Sequence, residues 1–149
     1  MMRRETVITR DLPLPLPTLD NLEFYAAARR GELCFQHCAT CGRFRHYPRP
    51  LCPYCLSRDF TWERSTGRGT VFTWTIVRGP TLPAFEGDLP YNVVDVVMEE
   101  GMHFVSQILD CPSEEIHAGM PVEAVFVPVS DEITLVKFRR VRSEDRQSR

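Results

Sequence analysis

The sequence predicts a mainly β protein that has one N-terminal helix, a small cysteine-rich module and a five-stranded closed barrel. Three observations indicate this fold class. Two Cys-x-x-Cys pairs are separated by ten residues, a Gly67-Arg68-Gly69 boundary follows them, and the chain beyond Thr70 is rich in β-branched and aromatic runs. With 149 residues, the chain is long enough for one ordinary domain or for a small domain with an appendage.

The first 17 residues are predicted to form an extended arm. Leucine alternates with proline from Leu12 to Pro17, and proline both excludes a helix and favours polyproline II. Two interpretations of the leucines remain open. The arm lies in a groove on a partner, or it packs on its own domain.

A helix of about three turns is predicted from Leu19 to Arg30. Thr18 is expected to be its N-cap, and Gly31 is expected to end it. A short strand from Leu33 to Gln36 then leads to the first cysteine pair, and the run from Phe60 to Arg64 is predicted to be the strand that leaves the second pair.

The cysteine pairs, Cys38 with Cys41 and Cys52 with Cys55, are typical of a zinc ribbon. Two thiolates three residues apart can hold one ion in a tight turn, and two facing turns complete a tetrahedral site. Four thiolates leave no open position for water or substrate, so the zinc is expected to be structural. Two disulfides or four buried free thiols are the alternative interpretation.

Five strands and no second helix are predicted after the glycine boundary, at 70–77, 91–99, 102–109, 122–127 and 133–140. A long loop spans 79–90, and Glu100-Gly101 is expected to join the second and third strands as a hairpin. A small barrel of this kind is typical of the OB-fold. The predicted parts are therefore an arm at 1–17, the helix and ribbon at 18–66, the OB-fold at 67–141 and a disordered tail at 142–149.

Charge is spread unevenly along the chain. The net charge is −2, yet eight arginines and three acids between Arg29 and Arg68 give that segment a charge of +5. Such a segment is either a site for phosphate-bearing ligands or a solvated surface, and both interpretations remain open. The chain has no run of 18 apolar residues and no secretory signal, so we expect a cytoplasmic protein that does not enter a membrane.

No catalytic residue is predicted, because the sequence has neither a Gly-x-Ser-x-Gly motif nor a phosphate loop. Cys34 and Cys111 lie outside the pairs. His37 is the one local base for Cys34, but a small buried side chain is the favoured interpretation of this cysteine. His46 is interpreted as a surface residue or as a contact to a phosphate or a partner, and His103 as a structural histidine in a hairpin strand.

The order of helix, four-cysteine ribbon, Gly-x-Gly link and barrel resembles one bacterial and archaeal family. Its members are acyl-CoA-associated proteins with a rubredoxin-like zinc ribbon and a C-terminal OB-fold. The resemblance covers about residues 18–141. It is carried by Phe24-Tyr25, Cys38-x-x-Cys41-Gly42, Tyr47-Pro48-Arg49-Pro50-x-Cys52-Pro53-x-Cys55, Gly67-x-Gly69-Thr70-Val71-Phe72, Pro90-Tyr91, Glu100-Gly101 and Gly119-Met120-Pro121-Val122.

The resemblance implies a non-catalytic accessory subunit. Its partner would be a thiolase-like enzyme, meaning a thiolase, aldolase or acyltransferase, or alternatively an enoyl-CoA hydratase-like subunit. The substrates would be acyl-CoA thioesters, including those of steroid side-chain and aromatic degradation. Because thiolase-type enzymes are dimers, a hetero-oligomer of two plus two chains is expected.

Two groups of contact residues are predicted for such a complex. Arg43, Arg45 and Arg49 are expected to meet the phosphates of CoA. The arm, the helix and the 79–90 loop offer apolar surface, on which the predicted partner contacts are Leu82, Phe85, Phe24 and Tyr25.

Two other functions are alternatives to this one. Arginine alternates with aromatic residues in the 43–47 segment, which favours a single-stranded nucleic-acid-binding OB-fold, but the predicted barrel is acidic where a strand-binding groove is basic. No nucleic acid is therefore expected as a partner. A free-standing enzyme is disfavoured, because no nucleophile with its base and no open metal site is recognisable.

Overall fold

A computed structural model describes residues 11–142, which form one α-helix and nine β-strands. The elements are α1 (Leu22–Arg29), β1 (Cys34–Cys38), β2 (Phe44–Arg45), β3 (Phe60–Arg64), β4 (Arg68–Val77), β5 (Tyr91–Met98), β6 (His103–Ser106), β7 (Ile108–Leu109), β8 (Pro121–Pro128) and β9 (Thr134–Arg140). The predicted mainly β class is confirmed. Residues 1–10 of the predicted arm and 143–149 of the predicted tail lie outside the described residues.

Helix α1 begins three residues later than predicted, because residues 18–21 form a turn of their own. The N-cap is Asn21 and not Thr18. The backbone N–H of Thr18 donates to Oδ1 of Asn21 at 2.6 Å, and the N–H of Leu22 donates to the carbonyl of Thr18 at 2.9 Å. The end matches the prediction, since Gly31 has a φ of 78° just after the helix.

The ribbon is a three-stranded antiparallel sheet with β1 at its centre. Strand β1 pairs with β3 along its whole length, from Cys34 opposite Arg64 to Cys38 opposite Phe60. This pairing carries β1 two residues beyond the predicted strand, so that the strand delivers Cys38 directly into the first cysteine turn.

The second sheet closes into a barrel. Its strand order is β6-β5-β4-β8-β9-β7, and the two end strands, β6 and β7, are consecutive segments that meet at Gln107. The predicted strand at 102–109 is therefore divided, with β6 paired to β5 and β7 paired in parallel to β9. At the division, the side chain of Asn92 donates to the carbonyl of Ile108 at 2.9 Å and accepts from its N–H at 2.8 Å.

One hydrophobic core joins the ribbon to the barrel. Helix α1 contacts β1 of the ribbon and both β8 and β9 of the barrel. The ring of Phe104, on the inner face of β6, lies 6.2 Å from that of Phe24 on the helix, 6.1 Å from that of Phe35 on β1, and 5.5 Å from that of Phe138 on β9. The helix therefore fills the junction between the two sheets.

The connections contain two short helices that the sequence prediction did not include. A 3-10 helix at Pro83–Asp88 occupies the centre of the predicted long loop, and proline at its start has the fixed φ that a helical turn requires. A second 3-10 helix spans Ser113–Glu115. Of the helices in the 11–142 range, none has the length and apolarity needed to cross a membrane.

Candidate metal centre and exposed surfaces

The two cysteine turns have the same backbone design. The carbonyl of Cys38 accepts the N–H of Gly42 at 3.0 Å, and the carbonyl of Cys52 accepts the N–H of Leu56 at 2.9 Å. Gly42 and Leu56 both have a positive φ, at 72° and 62°. Each turn therefore reverses sharply after its second cysteine, which directs both thiols of a pair to the same side.

The four sulfur atoms have the spacing of a metal site. The Sγ atoms of Cys38, Cys41, Cys52 and Cys55 all lie within 4.8 Å of one another. Two of the distances, from Cys38 to Cys55 and from Cys41 to Cys52, are 3.6 Å. A zinc ion about 2.3 Å from each sulfur would require edges of about 3.8 Å, whereas a disulfide would require about 2.05 Å. The donors fit zinc, and the disulfide alternative does not occur in this structure, where all four are free cysteines.

The electrostatics of the cluster favour a bound cation. Burial raises the pKa of the Cys52 thiol, but the backbone N–H groups of Tyr54 and Cys55 outweigh it and lower that pKa to about 6. The N–H of Cys41 above all lowers the pKa of Cys38. A hydrogen bond from the backbone N–H of Ser57 lowers the pKa of Cys55. Burial and the neighbouring thiols have the larger, opposite effect and raise this pKa to about 11. Full ionisation of the set therefore calls for a positive ion among the sulfurs.

The three predicted phosphate contacts do not form one cluster. Arg45 is 2% exposed, and its Nε donates to Oε1 of Gln36 at 2.8 Å while its Nη2 donates to the carbonyl of Arg49 at 3.1 Å. Its guanidinium also lies 4.7 Å from the ring centre of Phe60. Arg45 therefore fastens the loop after β2 to the ribbon sheet. Arg43 and Arg49 are exposed, and Arg43 lies over the ring of Tyr54 at 4.6 Å.

The predicted partner contacts are distributed between core and surface. Leu82 is 60% exposed, and Phe85 is half-buried with its ring 6.3 Å from that of Tyr91. Phe24 is only 8% exposed and belongs to the core, and Tyr25 is half-buried beside it. The burial of Tyr25, aided by Tyr47, raises the pKa of its hydroxyl.

A more exposed apolar surface lies on the arm and at the start of the helix. Leu16 is 86% exposed and Leu19 is 97% exposed, and Leu22 in the first helical turn is also exposed. The buried positions of α1 are Phe24, Ala27 and Ala28. The arm and the helix were predicted to offer apolar surface, but Leu19 and Leu22 were not among the predicted partner contacts. Helical periodicity provides the signal, because Leu22 falls off the stripe that these three residues form.

Cys34 and His37 do not form a nucleophile and base. They are three residues apart on a strand, so their side chains leave opposite faces of the sheet. His37 is hydrogen-bonded to the carbonyl of Gly42 at 3.0 Å and lies 3.0 Å from a carboxylate oxygen of Glu63. Cys34 is buried, and burial raises the pKa of its thiol, which disfavours the thiolate.

The other histidines differ in their surroundings. His103 is exposed on β6, and its Nδ1 lies 2.9 Å from both carboxylate oxygens of Asp95 on β5. His103 therefore joins the two strands of the hairpin through its side chain. His46 was expected at the surface, but the nitrogen atoms of its ring are buried. Its ring stacks on Phe104 with centres 4.4 Å apart and planes inclined by 5°. Nothing near His46 in the sequence signals this burial, because Phe104, on which the ring stacks, comes from another element.

Two family models match the chain. Residues 26–61 match the ChsH2 rubredoxin-like zinc ribbon domain, and residues 62–127 match the ChsH2 C-terminal OB-fold domain. The expected structural zinc and the expected barrel type are confirmed by these matches together with the cysteine cluster.

Relatives with known names are similar along most of the chain. A "Probable enoyl-CoA hydratase alpha subunit" of Thermomonospora curvata is 35% identical over 85% of this chain, which spans 39% of that protein's length. A DUF35 domain-containing scaffold protein of Methanothermobacter thermautotrophicus is 33% identical, with coverage of 70% of this chain and 78% of the relative. Among solved structures, a chain of the Ltp2-ChsH2(DUF35) aldolase superposes with a TM-score of 0.76 at 35% identity, over 85% of this chain and 98% of that one.

Proposed function

Because the chain belongs to the DUF35 family of ChsH2-type proteins, which join a zinc ribbon to an OB-fold, we propose that it is an accessory subunit of an enzyme that acts on acyl-CoA thioesters. The observation that carries the proposal is the match over 98% of a chain of the Ltp2-ChsH2(DUF35) aldolase. An aldolase-type member of the thiolase-like enzymes is therefore the first choice of partner. A hydratase-like partner is the alternative, suggested by the name of the Thermomonospora relative.

The exposed leucines support an interaction role. Leu16, Leu19 and Leu22 expose apolar side chains along one segment, from the end of the arm to the first residue of the helix. Asp11, at the start of the described arm, lines a surface depression together with Pro83 and Ala84, so the arm runs beside the 3-10 helix that follows Leu82. We infer that the exposed leucines of the arm and of the helix start form a protein contact surface, because exposed apolar patches mark such surfaces.

In this proposal the zinc ion has no part in the reaction. Cys38, Cys41, Cys52 and Cys55 are the ligands, and a closed set of four thiolates fixes the two cysteine turns against each other. The chemistry takes place on the partner, and the chain contributes no catalytic residue. Thiolate ligands persist in a reducing compartment, which is why we place the protein in the cytoplasm.

Within the complex, the exposed arginines are the candidates for contact with CoA. Arg43 and Arg49 present their guanidinium groups on the ribbon surface, and each can form bidentate bonds to a phosphate. Arg45 is omitted from this part of the proposal because its guanidinium is buried, with Nε and Nη2 hydrogen-bonded within the ribbon. We expect an assembly of two plus two chains, with steroid side-chain or aromatic acyl thioesters as substrates.

Tagged protein purified from its native host tests the proposal, with the mass of the intact assembly measured by native mass spectrometry. We expect a thiolase-fold or hydratase-fold enzyme in stoichiometric amount, and we expect Leu19→Glu to lower its recovery at least tenfold while Leu19→Met retains it. Recovery of the wild-type chain alone contradicts the proposal. Salt-dependent binding of single-stranded DNA by that lone chain would favour the nucleic-acid alternative.

A further inference from the structure

A cavity lies where helix α1, the loop after β2 and the barrel meet. Its volume is about 270 Å³, near the lower end of the range of about 300–1,000 Å³ for small-molecule sites. Its lining includes Phe24 and Tyr25 from the helix, His46 and Tyr47 from the loop, and Phe104 and Lys137 from the barrel. None of the predicted contacts for CoA or zinc belongs to its lining, so the cavity is separate from the metal centre.

Aromatic rings form the part of the lining that surrounds His46. The His46 ring stacks on Phe104, and its centre lies 5.3 Å from that of Phe24 and 4.0 Å from that of Tyr47. The single lysine of the chain, Lys137, reaches the cavity but donates to Oε1 of Gln107 at 2.8 Å. An apolar body is therefore favoured inside, and the charged group nearest to it already has a partner.

His46 is the unexplained polar group of this lining. Within residues 11–142, neither of its ring nitrogens has a hydrogen-bond partner, although both are buried. Burial, aided by the nearby charge of Arg49, lowers the pKa of the ring to about 3, so the imidazole is neutral and offers one N–H donor and one lone-pair acceptor. Buried polar groups are rarely left unpaired in proteins. A phenylalanine would provide the same stacking without that cost, so packing alone does not account for a histidine here.

We propose that this cavity binds a small uncharged molecule, or the uncharged end of a larger one, in which an apolar body carries a hydroxyl or amide that hydrogen-bonds to His46. The apolar body fills the space beside Phe24 and Phe104. A hydroxyl or an amide is specified because each contains both a donor and an acceptor, so that either ring nitrogen can be satisfied in either tautomer. The proposal does not depend on the identity of the partner subunit.

Benzyl alcohol is a suitable probe, since it combines an aromatic body with one hydroxyl, and ethylbenzene is its matched control with a methyl in place of the hydroxyl. The zinc-loaded full chain, labelled with ¹⁵N-histidine, is titrated with each compound, and the ring nitrogens are followed by NMR. We expect benzyl alcohol to shift the ring nitrogens of His46 saturably, and to leave those of the exposed His103 unchanged.

His46→Phe provides the second measurement. We expect the ratio of the affinities for benzyl alcohol and ethylbenzene to fall at least tenfold in this variant, with zinc content and circular dichroism unchanged. The wild-type titration decides the matter even if the variant fails to fold. The proposal is overturned by ring nitrogens that do not respond to benzyl alcohol, or by a ratio that is the same in both proteins. It is equally overturned if the NMR titration shows the ring nitrogens hydrogen-bonded to water alone at every concentration of the probe.

Discussion

Acidification from pH 7.5 to pH 5.5 is expected to destabilise the protein through His46. The ring has a pKa of about 3 in the folded chain, against about 6.5 in an unfolded one. Because the pKa is lower in the folded state, the imidazole binds a proton in the unfolded state, but not in the folded state, at pH values between the two pKa values. The stabilising contribution is therefore complete above pH 6.5 and is lost as the pH falls toward 3.

The size of the effect follows from the two pKa values. At pH 5.5 the folded ring is still neutral, and protonation of the unfolded ring favours unfolding by RT ln(1 + 10), about 1.4 kcal/mol. The corresponding value at pH 7.5 is below about 0.1 kcal/mol. Urea unfolding at the two pH values, in the wild type and in His46→Phe, measures this difference in the free energy of unfolding.

We expect the wild type to lose about 1.4 kcal/mol more than His46→Phe between pH 7.5 and pH 5.5. At pH 7.5 the variant is expected to be the more stable protein by about 1 kcal/mol, because it has no unpaired ring nitrogens. Bound zinc is measured at both pH values, so that loss of metal is not mistaken for the histidine effect. An identical pH dependence in the two proteins would refute the reasoning, since it would mean that His46 titrates normally inside the fold.

Two further perturbations test the metal centre and the barrel. Cys52→Ser is expected to abolish the binding of one zinc per chain and to unfold the ribbon, since metal binding in isolated zinc fingers contributes about 10–16 kcal/mol. Cys111→Ser is the control and is expected to keep the metal. Native mass spectrometry measures the zinc content of both variants. Gly69→Ala is expected to cost about 3 kcal/mol in urea unfolding, because the added Cβ would lie 2.5 Å from the carbonyl oxygen of Val97 and 2.6 Å from a methyl of Val96. Thr70→Ala, on the exposed face of the same strand, is the control, and an equal loss in both variants would contradict this account.

The parts of the fold that local spacing determines could be predicted from the sequence. The two cysteine pairs predicted the ribbon because each pair closes one turn. The strand at Phe60–Arg64 was predicted with its observed bounds. The division of the 102–109 strand could not be predicted in this way. It depends on the buried side chain of Asn92 on β5, which bonds to the backbone of Ile108 in the segment that follows the neighbouring strand β6.

The candidate sites show the same division between local and long-range causes. Arg45 has the sequence neighbourhood of a solvated arginine, but Gln36 on the adjacent strand supplies a buried acceptor. His46 has the neighbourhood of a surface residue, but Phe104 comes from a strand about sixty residues away to stack on it. In both cases the partner belongs to another element, and spacing along the chain carries no information about it.

Helix α1 determines how these proteins can be recombined. It precedes the ribbon in the chain, yet its Phe24 packs against both Phe104 of the barrel and His46 of the ribbon loop. A chimera that exchanged only the segment from β1 to β3 would place foreign side chains against a helix shaped for the original ones. Grafts between relatives should therefore transfer residues 18–66 together with matched side chains at barrel positions 104, 136 and 138. An isolated ribbon would expose the apolar side of its helix to water.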